Sequence, residues 1–280
     1  MNSKGSVESI RHLLFILRGI AIEELELICN DVDRYYHTRL EKTTSANGTT
    51  KERPITTSQG ALRYLQFQIK ERILVHMIRS PYAYGGIKGR DHVRAANAHR
   101  GKKYHWKTDL TDCFPSITSQ MVYDMFIRRG FSFTVARYLT RLTTFKGSVP
   151  QGVSTSSYIV NLVLEPLDEE IAAIMGPSTR RVMDDIIASD SRPILNDRIG
   201  LSIAAIRRYG QKPKRKKTRS KIGPIEYTGL RILNNSLSTT PAFEEKIKNA
   251  EPGSNRHKGL LGYQKYVRRG GCTESMPSKD

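Results

Sequence analysis

The residues of this chain whose types and spacing could do chemistry are acidic, and they come in a fixed order. Asp109 closes a short segment, KYHWKTDL (103–110), that alternates as a strand does. Tyr104, Trp106 and Thr108 share one face, and His105, Lys107 and Asp109 share the other. Pro150-Gln151-Gly152 then turns the chain into a long apolar segment, with Gln151 placed 42 residues beyond Asp109. Asp184-Asp185 follow 33 residues after Gln151, between Val182-Met183 and Ile186-Ile187. Two short apolar runs around an Asp pair predict a β-hairpin with acids at its tip. The next segment, GQKPKRKKTRSK (210–221), carries seven basic residues and no acidic one.

That order suits nucleotidyl transfer. The reaction uses two Mg²⁺ ions, one activating the attacking hydroxyl and one holding the triphosphate, and Mg²⁺ takes carboxylate oxygens as ligands. Clustered carboxylates repel and raise each other's pKa, a conflict that a cation removes. An Asp pair by itself is an ordinary solvated turn, and Asp109 by itself an ordinary helix cap; the ordered set argues for Asp109, Asp184 and Asp185 as metal ligands. Phe114, five residues after Asp109, would wall a sugar pocket or pack in the core. Gln151 and Gly152 would let the backbone approach an incoming nucleotide, since glycine has no Cβ. Lys217 would neutralise or protonate the leaving pyrophosphate. Arg53 would clamp the triphosphate in fork geometry, with a plain surface arginine as the alternative.

The elements that must position these residues are mostly helical. Apolar spacing predicts two helices within 7–40 broken at Gly19, a helix over 60–79, two more near 119–129 and 132–144, and a long one over 154–175 capped by Gly176. A helix over 194–209 stops at Gly210, and 225–239 predicts a second hairpin turning at Asn234-Asn235. Residues 42–52 read as a flexible loop or hairpin tip, and the basic run 210–221 as a loop. Tyr263 and Tyr266, among basic residues near the C-terminus, suit either a helix on a nucleic-acid duplex or plain packing.

Composition bounds the partners. The 280 residues carry 46 Lys+Arg against 27 Asp+Glu, a net charge of +19, which points to a polyanion, most often nucleic acid. Three widely spaced cysteines, Cys29, Cys113 and Cys272, form neither a disulfide framework nor a zinc knuckle. No apolar window is long enough to span a membrane and no signal-peptide pattern opens the chain, so a cytoplasmic protein is expected.

At this point the motifs resemble a known family, the bacterial reverse transcriptases of the retron and defence-associated kind. DLTDCFPSI (109–117) resembles its first catalytic motif, PQGVSTSSYIVNLVLEPLD (150–168) its Pro-Gln-Gly helix, and VMDDIIAS (182–189) its double-Asp motif. KKT (216–218) and YTGLRI (227–232) are similar to two later motifs, RPITTSQGALRYLQFQI (53–69) to a fingers motif, and AYGGIKGR (83–90) with His99 to the segment before the first catalytic strand. Val182, Cys113 and Ser157 stand where the family usually has Tyr, Phe and Pro; none is a candidate metal ligand.

The resemblance implies an α+β right-hand polymerase. Fingers and N-terminal helices would occupy 1–100, a palm with a ferredoxin-like antiparallel sheet 101–235, and a short basic thumb 236–280. It implies RNA-directed DNA synthesis with two Mg²⁺ ions, Mn²⁺ serving as a substitute. Catalysis would fall to Asp109, Asp184, Asp185 and Lys217, and nucleotide contacts to Arg53, Leu110, Phe114, Gln151 and Gly152. The implied partners are dNTPs, a structured non-coding RNA template with its complementary DNA, and an effector protein, in anti-phage defence within a bacterial cytoplasm. A non-catalytic RNA-binding scaffold and a template-independent or protein-primed polymerase are the competing readings.

Overall fold

Helical caps and strand pairing account for most of the element boundaries in the computed structural model of the chain, which describes residues 9–44 and 50–272. Elements are numbered along the chain, which divides into two compact units, one of residues 9–80 and 112–166, the other of residues 81–111 and 167–272. Fingers, palm and thumb are a functional division, drawn on different boundaries from these units.

In the first unit, α1 (Ile10–Ile16) starts at Ser9, whose hydroxyl accepts from the His12 N–H. It is separated from α2 (Ile22–Asn30) by Arg18 and Gly19 in left-handed conformation, the expected break. Residues 36–40 depart from the helical expectation. Tyr36–Thr44 form β1, antiparallel to β2 (Thr50–Ser58), with Tyr36 opposite Ser58. Pairing overrides the helical reading here. The Thr38 and Thr56 hydroxyls meet across the strands at 2.9 Å, and the buried Tyr36 hydroxyl accepts from Gln66 Nε2 at 2.9 Å.

The helix predicted over 60–79 is present as α3 (Gly60–Ile69), a π-helical turn Lys70–Leu74 and α4 (Val75–Met77) in continuous succession. A short α6 (Cys113–Ser116) leads to α7 (Ser119–Arg128) and α8 (Phe133–Thr143), the latter two capped by the Thr118 and Ser132 hydroxyls. α8 packs against α1, α2, α3 and α7 and buries Val135, Leu139 and Leu142 at the centre of this unit. The long α9 (Ser156–Met175) passes from the first unit to the second at Pro166, a residue that removes one helical N–H.

The second unit is built on β3 (Tyr104–Thr111), the strand that carries Asp109. β5 (Asp185–Asp190) pairs antiparallel along one side of it, with β4 (Arg180–Val182) outside. Along the other side, β7 (Arg219–Ile222) pairs with residues 104–107 and β6 (Lys212–Pro213) with Leu110 and Thr111. The basic run is therefore part of the sheet, where a loop was expected, because both its ends find backbone partners on β3. The expected hairpin over 225–239 is a three-stranded meander, β8 (Ile225–Tyr227), β9 (Leu230–Ile232) and β10 (Leu237–Thr239). Thr228 and Gly229, at φ 47° and 77°, supply the additional reversal.

α5 (His92–Asn97), α10 (Asn196–Arg208), α11 (Pro241–Lys248) and α12 (Asn255–Arg268) complete the unit. Val93, Ala96, Ile187, Tyr227, Leu230 and Val267 share one buried cluster. The α12 tyrosines turn into the fold. Tyr263 hydrogen-bonds His92 at 2.7 Å and Tyr266 donates to Asp91, while Arg256, Lys258, Lys265 and Arg268 are exposed. No helix among the described residues is long and apolar enough to cross a membrane.

Two buried histidines meet on one hydroxyl, with His99 Nδ1 2.9 Å and His105 Nδ1 2.7 Å from Ser189 Oγ. One proton on Ser189 means one imidazole donates and the other accepts. Burial chiefly, then the charges of Arg180 and His105, push the His99 imidazole down to about 3. In the unfolded chain it takes up a proton near its ordinary value of 6.5, whereas in the fold it stays neutral. Its contribution is therefore complete above pH 6.5 and is lost as pH falls toward 3. His99→Asn should lower stability at pH 7, and its deficit against the parent should shrink by on the order of 1–2 kcal/mol between pH 6.5 and 5 in denaturant titrations. A pH-independent deficit would contradict the assignment.

Candidate active site

The β3–β5 register places Asp109 directly opposite Asp185. Met183 and Asp184 form the tight reversal between β4 and β5, with Met183 in left-handed conformation at φ 55°. The Asp184 carbonyl accepts from the Leu110 N–H at 2.8 Å, which ties the reversal to β3. Leu110 itself is buried at 2% exposure.

Lys217 reaches the same place from the other side of β3. The Lys214 N–H donates to the Asp109 carbonyl at 2.8 Å, and the Thr218 and Thr108 hydroxyls meet at 2.7 Å. Between these two anchors Lys217 Nζ forms an ion pair with Asp109 Oδ2.

The electrostatics are those of a crowded acid pair beside a base. Burial raises the Asp109 carboxyl, but its hydrogen bond with Asp185 and the contact with Lys217 outweigh that and hold it below the usual range. Asp185 moves the opposite way, raised by burial, by the hydrogen bond and charge of Asp109, and by the charge of Asp184. The two shifts run in opposite directions, so the pair binds a proton more readily on the Asp185 side. Lys217 is kept charged, because its bond and attraction to Asp109 exceed the cost of its partial burial.

Among the described residues, no three Asp, Glu, His or Cys side chains converge into a ready-made metal cage. The donor chemistry nonetheless fits a hard divalent cation: adjacent carboxylate oxygens whose repulsion is offset here by the Lys217 ammonium group.

Sequence reasoning passed over the support of the Asp turn. Arg181 on β4 is fully buried and holds Asp168 of α9 in a two-pronged pair, Nε to Oδ1 at 2.6 Å and Nη2 to Oδ2 at 2.7 Å. Its remaining arm donates to the Met183 carbonyl at 2.9 Å. Residues 82–85 lie along the outer side of β4, where the Arg181 N–H donates to the Tyr82 carbonyl and the Tyr84 N–H to the Arg181 carbonyl, each at 2.8 Å. A Cβ on Gly85 would stand 2.8 Å from the Met183 backbone nitrogen. The available signal was the second arginine of Arg180-Arg181, three residues before an Asp pair, with the Leu167-Asp168 end of the Pro-Gln-Gly helix to receive it.

The remaining candidates lie in the first unit. Gln151 accepts from the Thr56 N–H at 2.7 Å, and a Cβ on Gly152 would stand 2.8 Å from the Thr56 carbonyl oxygen. Gly152 also has φ 116°, so this turn is closed to other residues and is welded to β2. Arg53 is exposed on the same strand, opposite Glu41. Phe114 is half-buried on α6, just after Asp112 in left-handed conformation.

The model of the family described as reverse transcriptase (RNA-dependent DNA polymerase) matches residues 40–232, which contain both Asp strands and the Pro-Gln-Gly turn. The chain belongs to this family. It is 30% identical over 197 residues to the Retron Se72 reverse transcriptase of Salmonella heidelberg (strain 579083-10), covering 69% of this chain and 50% of that protein. It is 28% identical over 173 residues to the Retron Ec86 reverse transcriptase of Escherichia coli, covering 61% and 53%. The chain spans about half the length of these curated relatives. An RNA-dependent RNA polymerase of a human picobirnavirus shares the fold at 11% identity and a TM-score of 0.56, over 82% of this chain and 55% of that one. The fold class is the right-hand polymerase expected from the sequence, with mixed helices and antiparallel sheets.

Three variants test the support of the turn in this reverse transcriptase-family chain. Asp168→Ala leaves a buried guanidinium unpaired and should cost about 3–5 kcal/mol in denaturant unfolding, whereas Asp168→Leu combined with Arg181→Met should recover most of it. Equal losses in both variants would show that the pair is no strut. Gly85→Ala should lower the melting temperature by several degrees through its clash with the Met183 backbone. An unchanged melting curve would show that this wall yields.

Proposed function

We propose that this chain is an RNA-directed DNA polymerase that adds dNTPs to a primer hydroxyl with two Mg²⁺ ions, Mn²⁺ being an alternative. The observation that carries the reading is the facing of Asp109 and Asp185 on paired strands, with Asp184 in the adjoining turn, in a chain of the reverse transcriptase family. Bound divalent ions supply charge neutralisation at the attacking hydroxyl and at the triphosphate.

The chain's own residues do the rest. Asp109, Asp184 and Asp185 present the carboxylate oxygens. Lys217, held charged beside Asp109, supplies a proton or a compensating charge to pyrophosphate as the bond between the α-phosphorus and its leaving oxygen breaks and the primer oxygen bonds to phosphorus. Gln151 and Gly152 hold the nucleotide through backbone, Phe114 walls the sugar, Arg53 binds the triphosphate, and the backbone of Leu110 borders the site. On this reading residues 1–100 serve as fingers, 101–235 as palm and 236–280 as a thumb whose exposed Arg and Lys on α12 follow the duplex phosphates.

The resemblance of the motifs extends the proposal to a dedicated structured non-coding RNA as template, copied into complementary DNA, with an effector protein and a role in anti-phage defence. The test is to assay Asp184→Asn and Asp185→Asn for dNTP incorporation on a primed RNA template, alongside thermal melts with and without Mg²⁺. Incorporation should fall by at least about a thousandfold, and the rise in melting temperature that Mg²⁺ should give the parent should be absent. Normal incorporation by either variant would remove that residue from the ligand set.

A further inference from the structure

We infer that the first unit carries a second nucleic-acid contact, a groove between α7 and α8 that takes a phosphate and stacked base of a single-stranded polynucleotide. The groove has a volume of about 330 Å³ and is bordered by Ser119, Tyr123, Arg137, Thr140, Arg141 and Lys146. A second hollow of about 400 Å³ shares Tyr123 and Arg137 with it and adds Phe133, so the two adjoin. None of the residues bordering either hollow is acidic.

Its two ends differ chemically. Arg141 and Lys146 are exposed cations at one end, and Arg137, also exposed, borders both hollows. Arg141 donates its Nε–H to the Cys29 carbonyl at 2.8 Å, which fixes the stem and leaves the outer guanidinium nitrogens to a ligand. Thr140 is 8% exposed, and its buried hydroxyl has no hydrogen-bond partner in the fold. A buried unmade hydrogen bond costs about 1–3 kcal/mol, so a hydroxyl left over beside three cations points to an anionic oxygen as its partner. At the other end the Tyr123 ring is half-buried, and Phe133 stands 74% exposed at the start of α8.

Cations beside a solvent-facing aromatic platform are the two parts of a single-strand site: phosphate for the one, the π-face of any base for the other. A free phosphate would leave Phe133 uncovered, and an apolar ligand would leave the cations unanswered. The groove shares no residue with the Asp109, Asp185 and Lys217 cluster, and its occupancy requires neither metal nor catalysis.

The test uses the whole chain in metal-free buffer containing a chelator, with a labelled, photo-crosslinkable single strand of about 15 nucleotides, as RNA and as DNA. A crosslink should map to the peptide spanning 119–147 with either sugar, and a duplex of the same sequence should compete poorly. Arg137→Ala with Lys146→Ala should weaken binding about tenfold or more and reduce the salt slope by about one for each cation removed. Thr140→Val keeps the volume while removing the hydroxyl, so it should weaken binding severalfold while the melting temperature holds or rises. Asp184→Asn should keep the crosslink even if synthesis is abolished, which separates this site from the polymerase reading. Absence of the crosslink together with an unchanged salt slope in the double variant would overturn the inference, and equal competition by duplex would overturn its single-strand form.

Discussion

The β3–β5 register puts two carboxylates face to face, and the rest of the second unit is arranged around that conflict. Asp109 and Asp185 are strand partners, so neither moves away without breaking the ladder. Their repulsion is answered locally by the raised proton affinity of Asp185 and by the Lys217 ammonium on the Asp109 side. Such an arrangement is unfavourable unless positive charge returns whenever a proton or the lysine leaves. A divalent cation is the most direct source of that charge, which is why an acid pair in a chain of net +19 reads as a metal-dependent site and not as a fault in the core.

The turn that carries Asp184 is fixed from three directions. Leu110 holds its carbonyl from β3, Arg181 holds the Met183 carbonyl from β4, and Gly85 leaves room for the Met183 backbone on the outer side. Buried ion pairs are weak contributors to net stability, because desolvation cancels most of their attraction. Asp168 shows that balance: burial raises its carboxyl even though Arg181 opposes the shift. What the pair contributes is geometric. Two prongs of the guanidinium on Asp168 leave the third aimed at one carbonyl oxygen, so the left-handed Met183 has a single way to sit.

Much of this was legible in the sequence, and the failures have identifiable causes. Long helices with apolar spacing, such as those over 119–128 and 156–175, announced themselves through local periodicity. Tyr36–Thr44 did not, because its partner lies in the following strand and pairing there overrides a short helical pattern. The basic run misled for a related reason. Seven cations among 210–221 look like a solvated loop, yet the backbone of Lys212, Pro213 and residues 219–222 pairs with β3, and only the side chains remain free. Of the candidate site, the identity of Asp109, Asp184 and Asp185 could be read from order and spacing. The Arg181 strut left a weaker sign, an arginine three residues before the Asp pair, because sequence alone does not mark an arginine as buried.

That placement of Lys217 has an electrostatic consequence. It sits between two points of attachment to β3, the Lys214 N–H and the Thr218 hydroxyl, so its reach is set by the sheet and not by a loop searching for a partner. While it pairs with Asp109, its charge is satisfied inside the fold. On the proposed reading, Asp109 would offer a divalent cation the same oxygens it now offers Lys217, and the freed ammonium would face a phosphate. Cation binding and anion binding would then be two halves of one exchange, in which the carboxylate–lysine pair is replaced by a partner of opposite charge for each. An acidic centre inside a basic protein needs such an exchange, because at rest its charges must satisfy each other, and in use each must face a partner of opposite sign.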